Sequence, residues 1–124
     1  MNLSITILVV DDFATMRRIV KGVLKKLGFR NIIEAENGKT ALSKLKKEDV
    51  GLVISDWNMP EMTGLELLKA VKAEEKFKDL PFIMLTAEGQ KDCVIEAVKA
   101  GVTNFIVKPF TSYTLKEKLN AVFS

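Results

Sequence analysis

The stretch that decides the fold is ILVVDD, residues 7–12, in which four apolar residues run directly into two aspartates. An apolar run of this length is typical of a strand that is buried on both faces of a parallel sheet. The stretch LVISDWNMP, residues 52–60, repeats the arrangement, because its apolar run ends at Asp56 before a turn. Since an unpaired buried charge is costly, two hydrophobic strands that end in carboxylates indicate that these ends line a site.

The rest of the chain alternates between strand-like and helix-like patterns. We predict strands at residues 5–10, 32–35, 51–55, 82–85 and 103–107. A helical pattern with apolar residues spaced by threes and fours follows each strand. In the first helix these residues are Phe13, Met16, Ile19, Val20, Val23, Leu24 and Leu27. Helix ends are predicted at Gly28, Asn37-Gly38, Thr63-Gly64, Gly101, and Thr111 or Ser112.

Five strands that alternate with five helices predict an α/β fold with helices on both faces of the sheet. The expected architecture is the doubly wound, flavodoxin-like parallel sheet with strand order 2-1-3-4-5. No linker or low-complexity tract divides the sequence, so we expect residues 1–124 to form a single domain.

This strand order predicts that three acids meet at one place. Ligands of such sheets bind at the carboxyl ends of the strands where the strand order reverses, here between strands 1 and 3. Asp11 and Asp12 end strand 1, and Asp56 ends strand 3. Three close carboxylates repel one another unless a cation joins them, and oxygen ligands favour Mg²⁺. Taken singly, Asp12 could be a helix cap and Asp11 a turn residue.

Two further polar residues end strands 4 and 5. Thr86 closes the run FIMLTAE, and Lys108 closes NFIVKPF. A hydroxyl can donate a hydrogen bond to an anion, and a lysine ammonium is an effective point charge for phosphate. Acids for a metal, faced by a cation and a donor, indicate phosphoryl transfer that relies on charge neutralisation.

Composition excludes several classes of function. The chain has no histidine and only one cysteine, which removes histidine-based catalysis, internal disulfides and cysteine-rich metal sites. Its net charge of +3 comes mostly from lysines on predicted helix faces, which indicates a solvated surface rather than a nucleic-acid site. No stretch approaches the roughly 20 apolar residues of a membrane span. We expect a cytoplasmic protein that is a monomer or associates weakly.

Four motifs carry a family resemblance: VVDD, SDWNMPEMTG, MLTAEG and FIVKPF. In this order and spacing they resemble the response-regulator receiver domain, and its single-domain chemotaxis members in particular, over essentially the whole chain. The resemblance implies that Asp56 accepts a phosphoryl group from a histidine kinase or a small phosphodonor. It also implies that Asp12 and Asp56 bind Mg²⁺, that Asp11 acts chiefly through a metal-bound water, and that the backbone carbonyl of Asn58 completes the coordination.

The same resemblance assigns the residues around the acceptor. It implies that Lys108 and Thr86 hold phosphoryl oxygens and that the Lys108-Pro109 bond is cis. Phe105 stands where the enteric chemotaxis members have a switching tyrosine, so any step that needs that hydroxyl is altered. The implied partners are the kinase CheA, the flagellar motor switch protein FliM and a phosphatase whose identity the sequence leaves open. Beyond its own phosphorylation and dephosphorylation, no turnover of an external substrate is expected.

Three alternatives compete with this interpretation. A receiver could serve as a phosphorelay intermediate in another two-component pathway. A Mg²⁺-dependent phosphohydrolase of the haloacid-dehalogenase type also uses an aspartyl nucleophile, but it needs a second aspartate where this chain has Asn58. A flavodoxin-like cofactor binder would need a phosphate-binding loop after strand 1, whereas DDFATMRR presents acids to an anion.

Overall fold

The computed structural model describes residues 2–87 and 91–123. The strands are β1 (Thr6–Val10), β2 (Asn31–Ala35), β3 (Val50–Asp56), β4 (Phe82–Ala87) and β5 (Asn104–Lys108). The helices are α1 (Ala14–Lys26), α2 (Gly38–Lys47), α3 (Gly64–Ala73), α4 (Lys91–Lys99) and α5 (Ser112–Phe123). A short 3-10 turn at Glu75–Phe77, which the sequence patterns did not predict, lies between α3 and β4.

The strands form one five-stranded sheet in the order β2-β1-β3-β4-β5, and every pair of neighbouring strands is parallel. This confirms the predicted doubly wound topology. In the register of β1 and β3, Val10 lies opposite Ser55. The residues that follow them, Asp11 and Asp56, therefore lie side by side at the carboxyl end of the sheet.

The sheet is covered on both faces because alternate residues of each strand point to opposite sides. On one face, strand residues such as Val9 and Ile54 pack with residues from α1 and α5. On the other face, Leu8 and Val53 pack with residues from α2, α3 and α4. Burial on both faces explains why β1 and β3 are continuous apolar runs rather than alternating ones.

The predicted helix ends are confirmed where local side chains determine them. The Asn37 side chain accepts a hydrogen bond from the backbone N–H of Thr40 at 2.8 Å and so caps α2. Thr63 and Glu66 form a reciprocal capping box at the start of α3. Gly28 follows α1 with a φ of +105°, a conformation that a residue without Cβ adopts at little cost.

The predicted apolar face of α1 is wrong at two positions. Phe13 and Ile19 are 67% and 49% exposed, respectively, whereas Val20 and Leu24 are fully buried. Phe13 precedes the first helical residue in an extended conformation, which takes its ring out of the helical stripe. Ile19 lies beside a buried stripe that is too narrow to include it. In the part of the chain that the structure describes, no helix has the length and apolar character needed to span a bilayer.

Candidate functional site

The carboxyl ends of β1 and β3 bring three acids together. Asp11 and Asp12 follow β1, and Asp56 is the last residue of β3. One carboxylate oxygen from each lies within 4.8 Å of the others. Asp11 is 1% exposed and Asp56 5% exposed. The predicted convergence of these residues is therefore confirmed.

Asp11 is held in place by both its backbone and its side chain. Its N–H donates to the carbonyl of Ala35 at 3.1 Å, which continues the hydrogen bonding of β1 to β2 by one residue. Its Oδ1 accepts from the backbone N–H of Phe13 at 3.0 Å, the side-chain pattern of an Asx-turn. Asp11 is thus a turn residue that also lines the site.

Asp12 does not cap the following helix. The residue at the N-cap position of α1 is Phe13, and no side chain forms a cap hydrogen bond there. The alternative that Asp12 is an ordinary helix cap is therefore wrong. Its carboxylate instead faces the other two acids, with no helical N–H to neutralise it.

Two carboxylate oxygens of the cluster lack a hydrogen-bond partner among the described residues. They are Oδ2 of Asp11 and Oδ1 of Asp12, and both are buried. Lys108 compensates only part of the negative charge. Its Nζ lies 2.6 Å from Oδ1 of Asp56 and 3.9 Å from Oδ2 of Asp11. One ammonium against three carboxylates leaves excess negative charge and free oxygen ligands, which fits a hard divalent cation.

The pKa of Asp11 reflects this environment. Burial of the carboxyl group is the largest influence and raises its pKa from 3.8 to about 6, and the charges of Asp56 and Asp12 act in the same direction. The hydrogen bond from Phe13 and the charge of Lys108 oppose the rise. Without a bound cation, the Asp11 carboxyl therefore takes up a proton as the pH falls toward 6.

The other predicted site residues surround the cluster. Thr86 lies near the end of β4 and is 2% exposed. Asn58 is exposed on the loop after β3 and lines a cleft of about 330 Å³ together with Asp12, Phe13, Met59, Pro60 and Thr63. The Lys108-Pro109 bond is cis, as the resemblance implied.

Phe105 lies on β5 opposite Met84 of β4. It is partly buried and packs against the core layer beneath α2, α3 and α4. Its ring therefore contacts the core without being fully enclosed by it.

Two residues near the site were missed by sequence reasoning. A Cβ at Gly64 would lie 2.3 Å from the carbonyl oxygen of Asp56 and 2.8 Å from Sδ of Met84, so only glycine allows α3 to begin this close to β3. The sequence pattern predicts Thr63-Gly64 only as the start of a helix. Arg17 donates to the backbone carbonyl of Asp11 at 2.7 Å, and nothing in the sequence pattern indicated this contact.

Comparison with known proteins decides the family. The model of the response regulator receiver domain matches residues 7–120. The chain belongs to the response regulator receiver family. Receivers of similar sequence include chemotaxis protein CheY-3 of Vibrio cholerae, which is 55% identical over 99% of this chain and 95% of its own length. A CheY homolog of Campylobacter jejuni is 59% identical over 94% of this chain and 90% of its own length.

A solved receiver structure has the same fold. The chemotaxis response regulator CheY4 of Vibrio cholerae superimposes with a TM-score of 0.88 at 37% identity and covers 96% of this chain and 98% of its own. Together these similarities assign the chain to the CheY-like receivers of chemotaxis. Such receivers are signalling regulators rather than enzymes in the usual sense.

Proposed function

We propose that residues 1–124 form a single receiver domain that accepts a phosphoryl group on Asp56 from the kinase CheA. Phosphorylation then changes binding to the motor switch protein FliM and so controls flagellar rotation. The observation that carries this proposal is the environment of Asp56, whose buried carboxylate lies 2.6 Å from Nζ of Lys108 beside two other acids. Following the resemblance, we place this activity in the cytoplasm and expect the chain to act as a monomer.

The proposed reaction uses the carboxylate of Asp56 as the nucleophile. One of its oxygens forms a bond to phosphorus while the bond from phosphorus to the imidazole nitrogen of the kinase breaks, and that nitrogen keeps the electron pair. Lys108 already contacts Oδ1 of Asp56, and its flexible stem lets the ammonium move to a phosphoryl oxygen. The hydroxyl of Thr86, at the end of the neighbouring strand, would donate to another of these oxygens.

The acids fit Mg²⁺, which the family uses. Asp12, Asp56 and the backbone carbonyl of Asn58 would hold it, and Asp11 would contribute through water. When bound, this ion supplies positive charge that offsets the repulsion between carboxylates and phosphoryl oxygens. The buried and unpartnered oxygens of Asp11 and Asp12, in the part of the chain described, support this assignment.

A second surface supports the proposed output to a protein target. We define the output face by Ile95 and Val98 of α4, Val107 of β5 and Tyr113 of α5, which are 55%, 59%, 50% and 69% exposed. These large apolar side chains lie on elements that follow one another along the chain, and they would offer a protein target apolar surface to bury. Phe105 lies on the same strand as Val107, so a movement of its ring would alter this face.

Phosphorylation by a small phosphodonor tests the nucleophile. We expect wild type to incorporate phosphate in the presence of Mg²⁺ and Asp56→Asn to incorporate none, because an amide is a poor nucleophile for phosphorus. Asp49→Asn, a change of the same chemistry at an exposed acid before β3, should behave as wild type. Equal incorporation in Asp56→Asn and wild type would show that the acceptor lies elsewhere.

Binding of Mg²⁺ and of the target tests the remaining steps. Trp57 directly follows Asp56 and is 7% exposed, so its fluorescence should respond to the ion. Lys108→Ala should still bind Mg²⁺ but respond weakly to phosphorylation. Radiolabelled CheA should transfer its phosphoryl group to wild type, and a FliM peptide should then bind the phosphorylated form more tightly. Transfer without any gain in peptide affinity would favour a phosphorelay intermediate.

A further inference from the structure

The backbone carbonyl of Asp11 has a dedicated side-chain donor. Arg17, which completes the first turn of α1, donates from Nη1 to this carbonyl oxygen at 2.7 Å. From Nε, the same guanidinium donates to Oε1 of Glu34 on β2 at 3.2 Å. Arg17 thus joins the start of α1, the outer strand β2 and the turn that carries the acids. Its side chain is 17% exposed and that of Glu34 is 37% exposed, so these contacts are partly shielded from water.

This contact fixes the peptide unit that joins Asp11 to Asp12. A peptide bond is planar, so holding the carbonyl of Asp11 also sets the orientation of the nitrogen and Cα of Asp12. The N–H of Asp11 is already bonded to Ala35 and its Oδ1 to Phe13. Asp12 has no cap hydrogen bond, and its buried Oδ1 lacks a partner within the described residues. The direction of its carboxylate therefore depends on the backbone that Arg17 holds.

The contact needs the shape of arginine as well as its charge. A guanidinium presents several N–H donors in a rigid planar fork, whereas a lysine ammonium sits as a single point on a flexible stem. Oε1 of Glu34 accepts from Nε of the guanidinium, and Oε2 of Glu34 forms an ion pair with Nζ of Lys21 at 3.5 Å. Lys21 lies one helical turn beyond Arg17 and contacts Glu34, but it makes no hydrogen bond to the acids among those described. It is therefore a matched control.

We propose that Arg17 is a positioning residue for the cation site, because it holds the Asp11–Asp12 peptide in the orientation that directs Asp12 toward Asp56. The inference rests on the proposed function only in that the three acids bind Mg²⁺. If Arg17 positions Asp12, replacing Arg17 weakens Mg²⁺ binding. Electrostatics alone predicts tighter binding, since removing a nearby positive charge strengthens the attraction of an acidic cluster for a cation. The sign of the change in Mg²⁺ affinity thus separates positioning from simple charge.

The experiment measures Mg²⁺ binding by calorimetry on wild type, Arg17→Gln, Arg17→Lys and Lys21→Gln. Both Arg17 variants should bind Mg²⁺ about tenfold more weakly, the scale usual for residues that orient metal ligands. Lys21→Gln should keep the wild-type affinity. Urea unfolding in EDTA, run in parallel, distinguishes positioning from a purely structural role. A purely structural role would lower the free energy of unfolding but leave the Mg²⁺ dissociation constant of the folded protein unchanged.

Each alternative outcome has a distinct meaning. Unchanged or tighter Mg²⁺ binding in Arg17→Gln would overturn the inference while leaving the metal site intact. The inference would also be overturned if Arg17→Lys kept the wild-type Mg²⁺ affinity while Arg17→Gln lost it. A positive charge at this position would then be sufficient for Mg²⁺ binding, without the planar fork. If wild type shows no saturable binding, the metal site of the proposed function is wrong and the inference falls with it. Should Arg17→Gln not fold, Arg17→Lys carries the test, because it keeps the positive charge and loses only the planar fork, so weaker Mg²⁺ binding in this variant cannot come from a change of charge.

Discussion

The raised pKa of Asp11 makes the stability of the metal-free protein depend on pH. Burial and neighbouring acids raise this pKa from 3.8 to about 6. Between these two pH values the Asp11 carboxyl has released its proton in the unfolded chain but keeps it in the folded protein. The contribution of Asp11 to the free energy of unfolding is therefore larger at low pH. This contribution is fully present below pH 3.8 and is lost as the pH rises through 6. The difference of about two pKa units, at 1.36 kcal/mol each, corresponds to about 3 kcal/mol.

Asp11→Asn removes this titration with little change of shape, since the amide oxygen can still accept from the N–H of Phe13. In EDTA, we expect the free energy of unfolding of wild type, measured relative to Asp11→Asn, to fall by about 2 kcal/mol between pH 4 and pH 7, because part of the change has already occurred at pH 4. The assay is urea unfolding followed by far-UV circular dichroism at several pH values. Asp49→Asn is the control, because this exposed acid lies outside the cluster and its curve should run parallel to that of wild type.

Mg²⁺ should narrow the stability difference between the two proteins at pH 7. At 100 times its dissociation constant, a ligand that binds only the folded state adds about 2.7 kcal/mol. Wild type should gain this stabilisation, and Asp11→Asn should gain less of it. A difference between wild type and Asp11→Asn that stays constant from pH 4 to pH 7 in EDTA would refute the reasoning, because Asp11 would then ionise equally in the folded and unfolded states.

Three further predictions follow from the site and its surroundings. Asp12→Ala should raise the free energy of unfolding in EDTA by about 1 kcal/mol, because it relieves repulsion and removes no helix cap. Gly64→Ala should lower it by about 1–3 kcal/mol, since the new Cβ meets the carbonyl of Asp56. The matched change Gly22→Ala, with no atom within 4 Å of the new Cβ, should raise it by about 0.5–1 kcal/mol. Phe105→Tyr should increase the gain in target affinity produced by beryllofluoride, because a phenol is less easily buried than a phenyl ring.

Urea unfolding in EDTA checks the first two of these predictions, and target-peptide titration with and without beryllofluoride checks the third. A marked loss of stability in Asp12→Ala would show that its carboxylate makes a favourable interaction in the folded state. Equal stabilities of Gly64→Ala and Gly22→Ala would mean that α3 can move away from β3 at little cost. An equal or smaller beryllofluoride effect in Phe105→Tyr would show that the missing hydroxyl does not weaken the switch.

Much of the fold was predictable from the sequence because the signals are local. The apolar run before Asp11 and the caps at Asn37 and Thr63 act within a few residues, and parallel topology then restricts the strand order. The meeting of Asp11, Asp12 and Asp56 follows from that order, since the carboxyl ends of adjacent parallel strands lie at one edge. Their roles, and those of Thr86, Asn58 and Lys108, remain proposals.

Other features depend on contacts between elements that no local pattern encodes. The exposure of Ile19 depends on how α1 is rotated over the sheet, which all the packing contacts decide together, and that of Phe13 follows from the extended backbone before the helix. The reach of Arg17 to the carbonyl of Asp11 requires a particular side-chain conformation, supported by Glu34 on another strand. The need for glycine at position 64 appears only when α3 is packed against β3. Periodicity therefore determined which elements form and where their ends meet, whereas the three-dimensional packing of side chains decided which atoms are close enough to act on one another.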